Sequence, residues 1–166
     1  MKKLFLVMIT AVAIGLVPAL AEQNTYFKSG SLLAQVGVGY GYGAGLEGGV
    51  DLSLGQWELA PVFPLDFGVG ARVGFNTGIQ TYGAGIGAEA YGTVRYSWKA
   101  LKTGIDFVDH LETFSGFGLQ FQSNAVLPLW VGSMGGTSYH LDDKLAIELG
   151  YYSIVGATIG ATYKLN

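Results

Sequence analysis

From residue 34 onward, apolar side chains recur at every second position through most of the chain. After residue 21 no apolar run is long enough to cross a bilayer as a helix. A period of two belongs to extended strands, whose successive side chains point to opposite faces. Ala34, Val36, Val38, Tyr40 and Tyr42 alternate with Gln35, Gly37, Gly39 and Gly41. Leu65, Phe67, Val69, Ala71, Val73 and Phe75 alternate with Asp66, Gly68, Gly70, Arg72 and Gly74. The same two-faced pattern recurs at 46–54, 82–98, 115–121, 145–151 and 157–165. It predicts an all-β chain.

Alternation defines two faces without saying which one points outward, and composition decides that. Charged residues are 13% of the chain and apolar ones 50%, against about 25% charged in soluble domains. A soluble lipocalin-like barrel would put the apolar face inside. Its water-facing surface would then be mostly glycine with a few charges. A crowded barrel interior suits glycine, so the apolar face is expected to meet lipid. An open sheet edge in hydrocarbon strands backbone N–H and C=O groups, so the sheet must close. The expected fold is therefore a closed antiparallel up-and-down transmembrane β-barrel. Membrane strands take about 9–11 residues, which gives about eight: 32–42, 46–55, 64–75, 80–98, 113–122, 129–139, 144–152 and 155–165.

Met1-Lys2-Lys3 followed by the uncharged run Leu4 to Val17 reads as a secretory signal, too short for a membrane anchor. Ala19-Leu20-Ala21 supplies the small-x-small cleavage pattern. The division is 1–21 as cleaved signal and 22–166 as the barrel domain. Without Lys2 and Lys3, seven basic residues face twelve acidic ones, a formal charge of −5. A nucleic-acid partner needs a basic surface, so none is expected. The absence of cysteine rules out a disulfide framework, a thiolate metal site and a lipoprotein anchor.

Three segments carry a family resemblance. The terminal strand, with Gly160, Tyr163 and Leu165 on its two faces, resembles the closing strand of bacterial outer-membrane barrels, although Leu165 stands where such strands usually end on Phe. Gly135 to Tyr151 (GGTSYHLDDKLAIELGY) resembles the penultimate hairpin of small OmpA-type barrels, with a turn at Leu141-Asp142-Asp143. His110 to Phe121 (HLETFSGFGLQF) resembles their aromatic-then-G-x-G strand. The resemblance covers about a third of the chain. It implies a Gram-negative outer-membrane protein in contact with outer-membrane lipid. It also implies that the barrel assembly machinery reads the terminal strand, and the expected state is a monomer. With a periplasmic N-terminus, the outer loops are 43–45, 76–79, 123–128 and 153–154. The longer connections, 56–63 and 99–112, then fall on the periplasmic side, the reverse of the usual arrangement. Residues 99–112 read as an ordered loop, with a short amphipathic helix as the alternative.

The interior face is expected to hold Glu47, Asp51, Asp66, Arg72, Glu89, Arg95 and Glu148. Buried charge persists only when paired, so both arginines should stand among the carboxylates and fill the lumen. A substitution such as Gly70→Ser or Thr158→Ser is expected to be mild there by comparison with Val69→Arg or Ile159→Arg on the outer face. Glycine patterns at Gly43–Gly48 and Gly83–Ala88 match a dinucleotide fingerprint but sit inside strand repeats rather than before a helix. Ser138, His140 and Glu148 form a conceivable triad on the wrong half of the barrel for an outer-leaflet substrate. The expectation is a non-enzymatic protein with no cofactor, metal or catalytic residue. Its role would be structural or at the surface; a narrow channel and an adhesin are the alternatives.

Overall fold

The computed structural model describes residues 25–41, 43–60, 62–78 and 83–166. Ala19 and Ala21 of the expected cleavage site, with Tyr42 and Tyr82, lie outside them. Eight strands follow one another: β1 (Leu32–Tyr40), β2 (Ala44–Glu58), β3 (Pro64–Asn76), β4 (Gly85–Ser97), β5 (Leu111–Gln122), β6 (Leu129–His140), β7 (Leu145–Tyr152) and β8 (Gly156–Lys164). Each pairs antiparallel with its neighbours, and β8 returns to β1 to close the barrel. Closure pairs Val36 with Ala161 and Gly37 with Gly160. The terminal strand thus shares its ladder with the first.

The outward face is apolar. Val36, Val73, Ile86, Phe117, Leu119, Leu149 and Ile159 are exposed, while Glu47, Asp51, Asp66, Arg72, Glu89, Arg95 and Glu148 are buried on the opposite face. The apolar face of the strands is thus the outer one and the charged face the inner one.

Several boundaries differ from the sequence reading. β2 continues to Glu58 through a bulge between Ser53 and Gly55. The extra residue shifts the alternation by one, bringing Gln56 inward and Trp57 outward, which is why period two stops marking the strand there. β4 is shorter than 80–98. It opens at Gly85 and gives way at Trp98 to a 3-10 turn, Trp98–Leu101. The connection after β4 is neither one helix nor a plain loop: the 3-10 turn is followed by a one-turn helix, α1 (Asp106–Asp109). Left-handed Lys102 (φ 50) and Gly104 (φ 71) separate the two pieces and break the helix-like spacing of Leu101, Ile105 and Val108.

The connections at 59–63, 98–110 and 141–144 share one end, the proximal end, with the N-terminal segment 25–31 and with Asn166. There the Asn166 side chain accepts from Leu32 N–H and donates to the Gly30 carbonyl. The other connections form the distal end.

Candidate functional site

The lumen collects most of the buried polar groups. Because strand residues alternate strictly, every inward position of eight tilted strands converges on one narrow space. On β4, Arg95 is 3% exposed and binds three strands at once. Its Nη2 donates to Asp51 Oδ2 at 2.7 Å and its Nη1 to Glu112 Oε1 at 2.9 Å, with Glu148 Oε1 3.8 Å away. Arg72, on β3, donates from Nη2 to Gln35 Oε1 at 2.7 Å, and its Nε lies 3.8 Å from Glu47 Oε2. Its guanidinium also lies over the Tyr152 ring at 3.6 Å, a favourable contact in a desolvated setting. Gln35 joins the two centres by donating to Asp51 Oδ2 at 3.0 Å.

All seven residues expected in the lumen are there, but the arginines do not reach all of the carboxylates. Asp66 accepts instead from the Ser53 hydroxyl, at 2.8 and 3.0 Å. Neither Glu89 oxygen has a hydrogen-bond partner. Glu112 is a central partner that sequence reasoning missed. It sits one residue before the strand expected from 113, within the segment that reads as a loop; the inward parity of β5, extended back one step, marks it.

Ser138, His140 and Glu148 all face the lumen on the proximal half, yet they do not form a triad. The Ser138 hydroxyl donates directly to Glu148 Oε1 at 3.1 Å. His140 Nε2 lies 3.7 Å from Glu112 Oε2. Without a Ser–His hydrogen bond, the three are not arranged as a Ser–His–carboxylate relay. Gly43–Gly48 spans the β1–β2 turn and the start of β2, and Gly83–Ala88 leads into β4. No helix follows either pattern, so neither offers the helix N-terminus a pyrophosphate needs. Among the described residues, no three His, Cys, Asp or Glu side chains group as a metal site.

Both ends are plugged, which the sequence did not disclose. At the proximal end Tyr26 stacks on His140 with ring centroids 3.6 Å apart and planes 2° from parallel. Phe27 lies 5.4 Å from the same ring and 5.5 Å from the Arg95 guanidinium. The Tyr26 hydroxyl donates to the Asp109 carbonyl at 3.0 Å, which ties the plug to α1. Burial pushes this phenol up to about 12, so it keeps its proton. At the distal end the connection Ser153-Ile154-Val155 folds inward, leaving Ile154 and Val155 at 0% exposure. Asn76 Nδ2 donates to the Ile154 carbonyl at 3.2 Å. A Cβ at Gly74 or Gly87 would approach Ile154 Cγ2 to 2.8 or 2.6 Å, so glycine on β3 and β4 makes room for this cap.

Tyr91, Phe114, Met134 and Tyr152 pack as a buried cluster between the plugs. Among the described residues, a cavity of about 10 Å³ lies beside Glu47, Arg72, Glu148 and Tyr152, room for about one water. Gly70 is packed as tightly: a Cβ there would meet Asp51 Oδ1 at 2.0 Å and Tyr91 Cε2 at 2.5 Å. The expectation that Gly70→Ser is mild is therefore corrected. A lumen-facing position is not a roomy one when a fixed carboxylate and an aromatic ring already fill it.

No protein-family model matches the sequence, and neither does any curated protein. Among solved structures, one described as "De novo design of transmembrane beta-barrels" is 24% identical, with a TM-score of 0.46 over 84% of this chain and 98% of that one. Another de novo designed barrel, solved by NMR in solution, is 18% identical, with a TM-score of 0.41 over 84% and 97% of the two chains.

Proposed function

We propose that this protein is an integral membrane barrel of the small OmpA type. In this reading it is exported by its N-terminal signal, inserted in a bacterial outer membrane by the assembly machinery and monomeric there. It is non-enzymatic, and its role is structural or at the surface. The observation that carries the reading is the reversal of burial: apolar side chains cover the outer wall while ionisable groups are sealed inside. Monomeric soluble proteins rarely expose contiguous apolar patches above a few hundred Å². A band that runs round all eight strands needs hydrocarbon to cover it. The aromatics Trp57, Tyr96 and Trp98 near the proximal rim suit headgroup depth. Trp98 Nε1 donates to Thr113 Oγ1 at 2.8 Å, which leaves its indole NH satisfied against the wall.

Ile154 and Val155 at one end and Tyr26 and Phe27 at the other support a barrel that does not conduct. The expected result is recovery in outer-membrane fractions, with gel migration that changes on heating, and no steady porin-sized conductance in planar bilayers. Recovery as a soluble periplasmic monomer would refute the membrane reading. Steady large conductance from the unmodified protein would refute the filled lumen and favour a channel.

A further inference from the structure

The charges outside the lumen all stand at one end of the barrel. From residue 25 onward, every such Asp, Glu, Lys and Arg is at Lys28, Glu58 or Lys164, within 99–109 or within 142–144. Each of these places belongs to the proximal end. The distal connections, 41–43, 77–84, 123–128 and 153–155, hold no Asp, Glu, Lys, Arg or His. A surface that faces water ordinarily carries about 25–35% charged residues. The distal end is built for another medium.

The connection from Ser123 to Pro128 shows how. Its polar side chains turn back onto the barrel. The Ser123 hydroxyl accepts from Ile86 N–H at 2.9 Å, and Asn124 Nδ2 donates to Asn76 Oδ1 at 3.1 Å and to the Gly83 carbonyl at 2.8 Å. Gln122 N–H donates to the Pro128 carbonyl at 2.8 Å and Ser123 N–H to the Ile86 carbonyl at 2.9 Å, which fixes the base of the connection to the strands. The side chains left projecting are apolar: Val126 is 85% exposed and Leu127 66%. Directly beneath, the register pairs Phe121 with Leu129 and Leu119 with Val131, all four exposed on the outer wall. The tip is therefore continuous with the apolar band of β5 and β6.

We infer that Val126, Leu127 and Pro128 form a lipid-docking surface, seated in the interface of the leaflet at the distal end rather than standing clear of it in water. The height of the wall places them there. From Leu111 to Phe121, β5 runs about 33 Å along its own course, or about 25 Å along the barrel axis at a tilt of about 40°. That is about the height of the lipid-facing band of such barrels. Tyr139, the register partner of Leu111, stands among the proximal aromatics with Phe107 stacked on it at 5.4 Å. Phe121 and Leu129 then reach the far boundary of the hydrocarbon, and the tip lies just beyond them. Entry into lipid is costly for a charged group, and the distal connections bring none. The inference rests on the membrane reading above and adds where the distal end lies.

The chain has no cysteine, so single substitutions can carry an environment-sensitive fluorophore: Val126→Cys at the tip, Val69→Cys on the outer wall and Lys102→Cys at the proximal end. Each labelled protein is folded into phosphatidylcholine vesicles and checked for heat-modifiable migration. Quenching is read with iodide on both sides of the bilayer, and with lipids that carry a nitroxide at a shallow or a deep position of the acyl chain. The label at Val126 should emit to the blue of the one at Lys102 and be quenched several-fold less by iodide. The shallow nitroxide should quench it more than the deep one, with the reverse order at Val69. Iodide quenching at Val126 equal to that at Lys102, with Val69 protected, would overturn this inference and leave the membrane reading standing. A label at Val126 that neither iodide nor any nitroxide lipid reaches would also overturn it, by assigning the tip to contact between copies. Iodide quenching at Val69 would overturn the membrane reading and this inference together.

Discussion

Replacing Arg95 by Met should be the most damaging single change in the lumen. Methionine preserves much of the length and apolar bulk beside Phe114 and Phe27, but it removes the positive charge that faces Asp51, Glu112 and Glu148. Two direct charge-assisted hydrogen bonds disappear, at 2.7 and 2.9 Å, in a site only 3% exposed. Removing one partner of a buried ion pair costs about 3–5 kcal/mol, because the other charge is left without compensation. Whole-domain stabilities run to about 5–15 kcal/mol, so the loss is a large part of the total. With a urea dependence of about 2 kcal/mol per molar, the unfolding midpoint in lipid vesicles should fall by roughly 2 M. Adding Asp51→Asn and Glu112→Gln to the Arg95→Met chain removes the two stranded charges that Arg95 bonds directly, leaving Glu148, and should recover much of that loss. Residues in one network couple by about 0.5–3 kcal/mol, and here the coupling must be favourable. The reasoning fails if Arg95→Met shifts the midpoint by less than about 0.5 M, or if the neutralising changes add to the damage.

Val69→Arg and Ile159→Arg place a charge on the outer wall and should each cost about 2–4 kcal/mol near a bilayer midplane, read as reduced urea midpoints in vesicles. Gly70→Ser should cost about 1–3 kcal/mol by overpacking, since Arg95 and Gln35 hold Asp51 and it cannot retreat. Thr158→Ser should be close to neutral, and a Gly70→Ser protein with wild-type stability would show that the lumen is looser than described. In the β6–β7 turn, the Asp142 carboxylate accepts Lys144 N–H at 2.7 Å and Leu145 N–H at 2.8 Å, which holds its pKa below the usual carboxylate range. A depressed folded pKa means a contribution that is present above about pH 4, where the unfolded carboxylate is already charged. It is lost as the pH falls through the folded value. Asp142→Ala should therefore speed hydrogen exchange at the Lys144 and Leu145 amides at neutral pH, and the difference from wild type should vanish in strong acid.

The sequence by itself determined the fold class and the contents of the two faces. Period-two alternation survives translation into structure because a strand side chain has only two directions to choose from, so residue parity predicts burial at Glu47, Arg72, Arg95 and Glu148 alike. The alternation also told that the strands number about eight and that the chain must close on itself. What it could not carry was anything that depends on which inward residues meet. The bulge at Ser53/Gly55 hid the last turn of β2, because one unpaired residue resets parity. Glu112 fell just outside an expected strand and proved to be a principal partner of Arg95. Nothing in the composition of Tyr26-Phe27 or Ser153-Ile154-Val155 distinguishes a plug from an ordinary connection. Their inward course depends on space left by Gly74 and Gly87 and on rings and carbonyls far away in the chain. The charge partners likewise follow from strand register and tilt, which set the level of every side chain along the barrel axis. Local pattern selects a face; only closure of the sheet brings Asp51, Glu112 and Glu148 to one guanidinium.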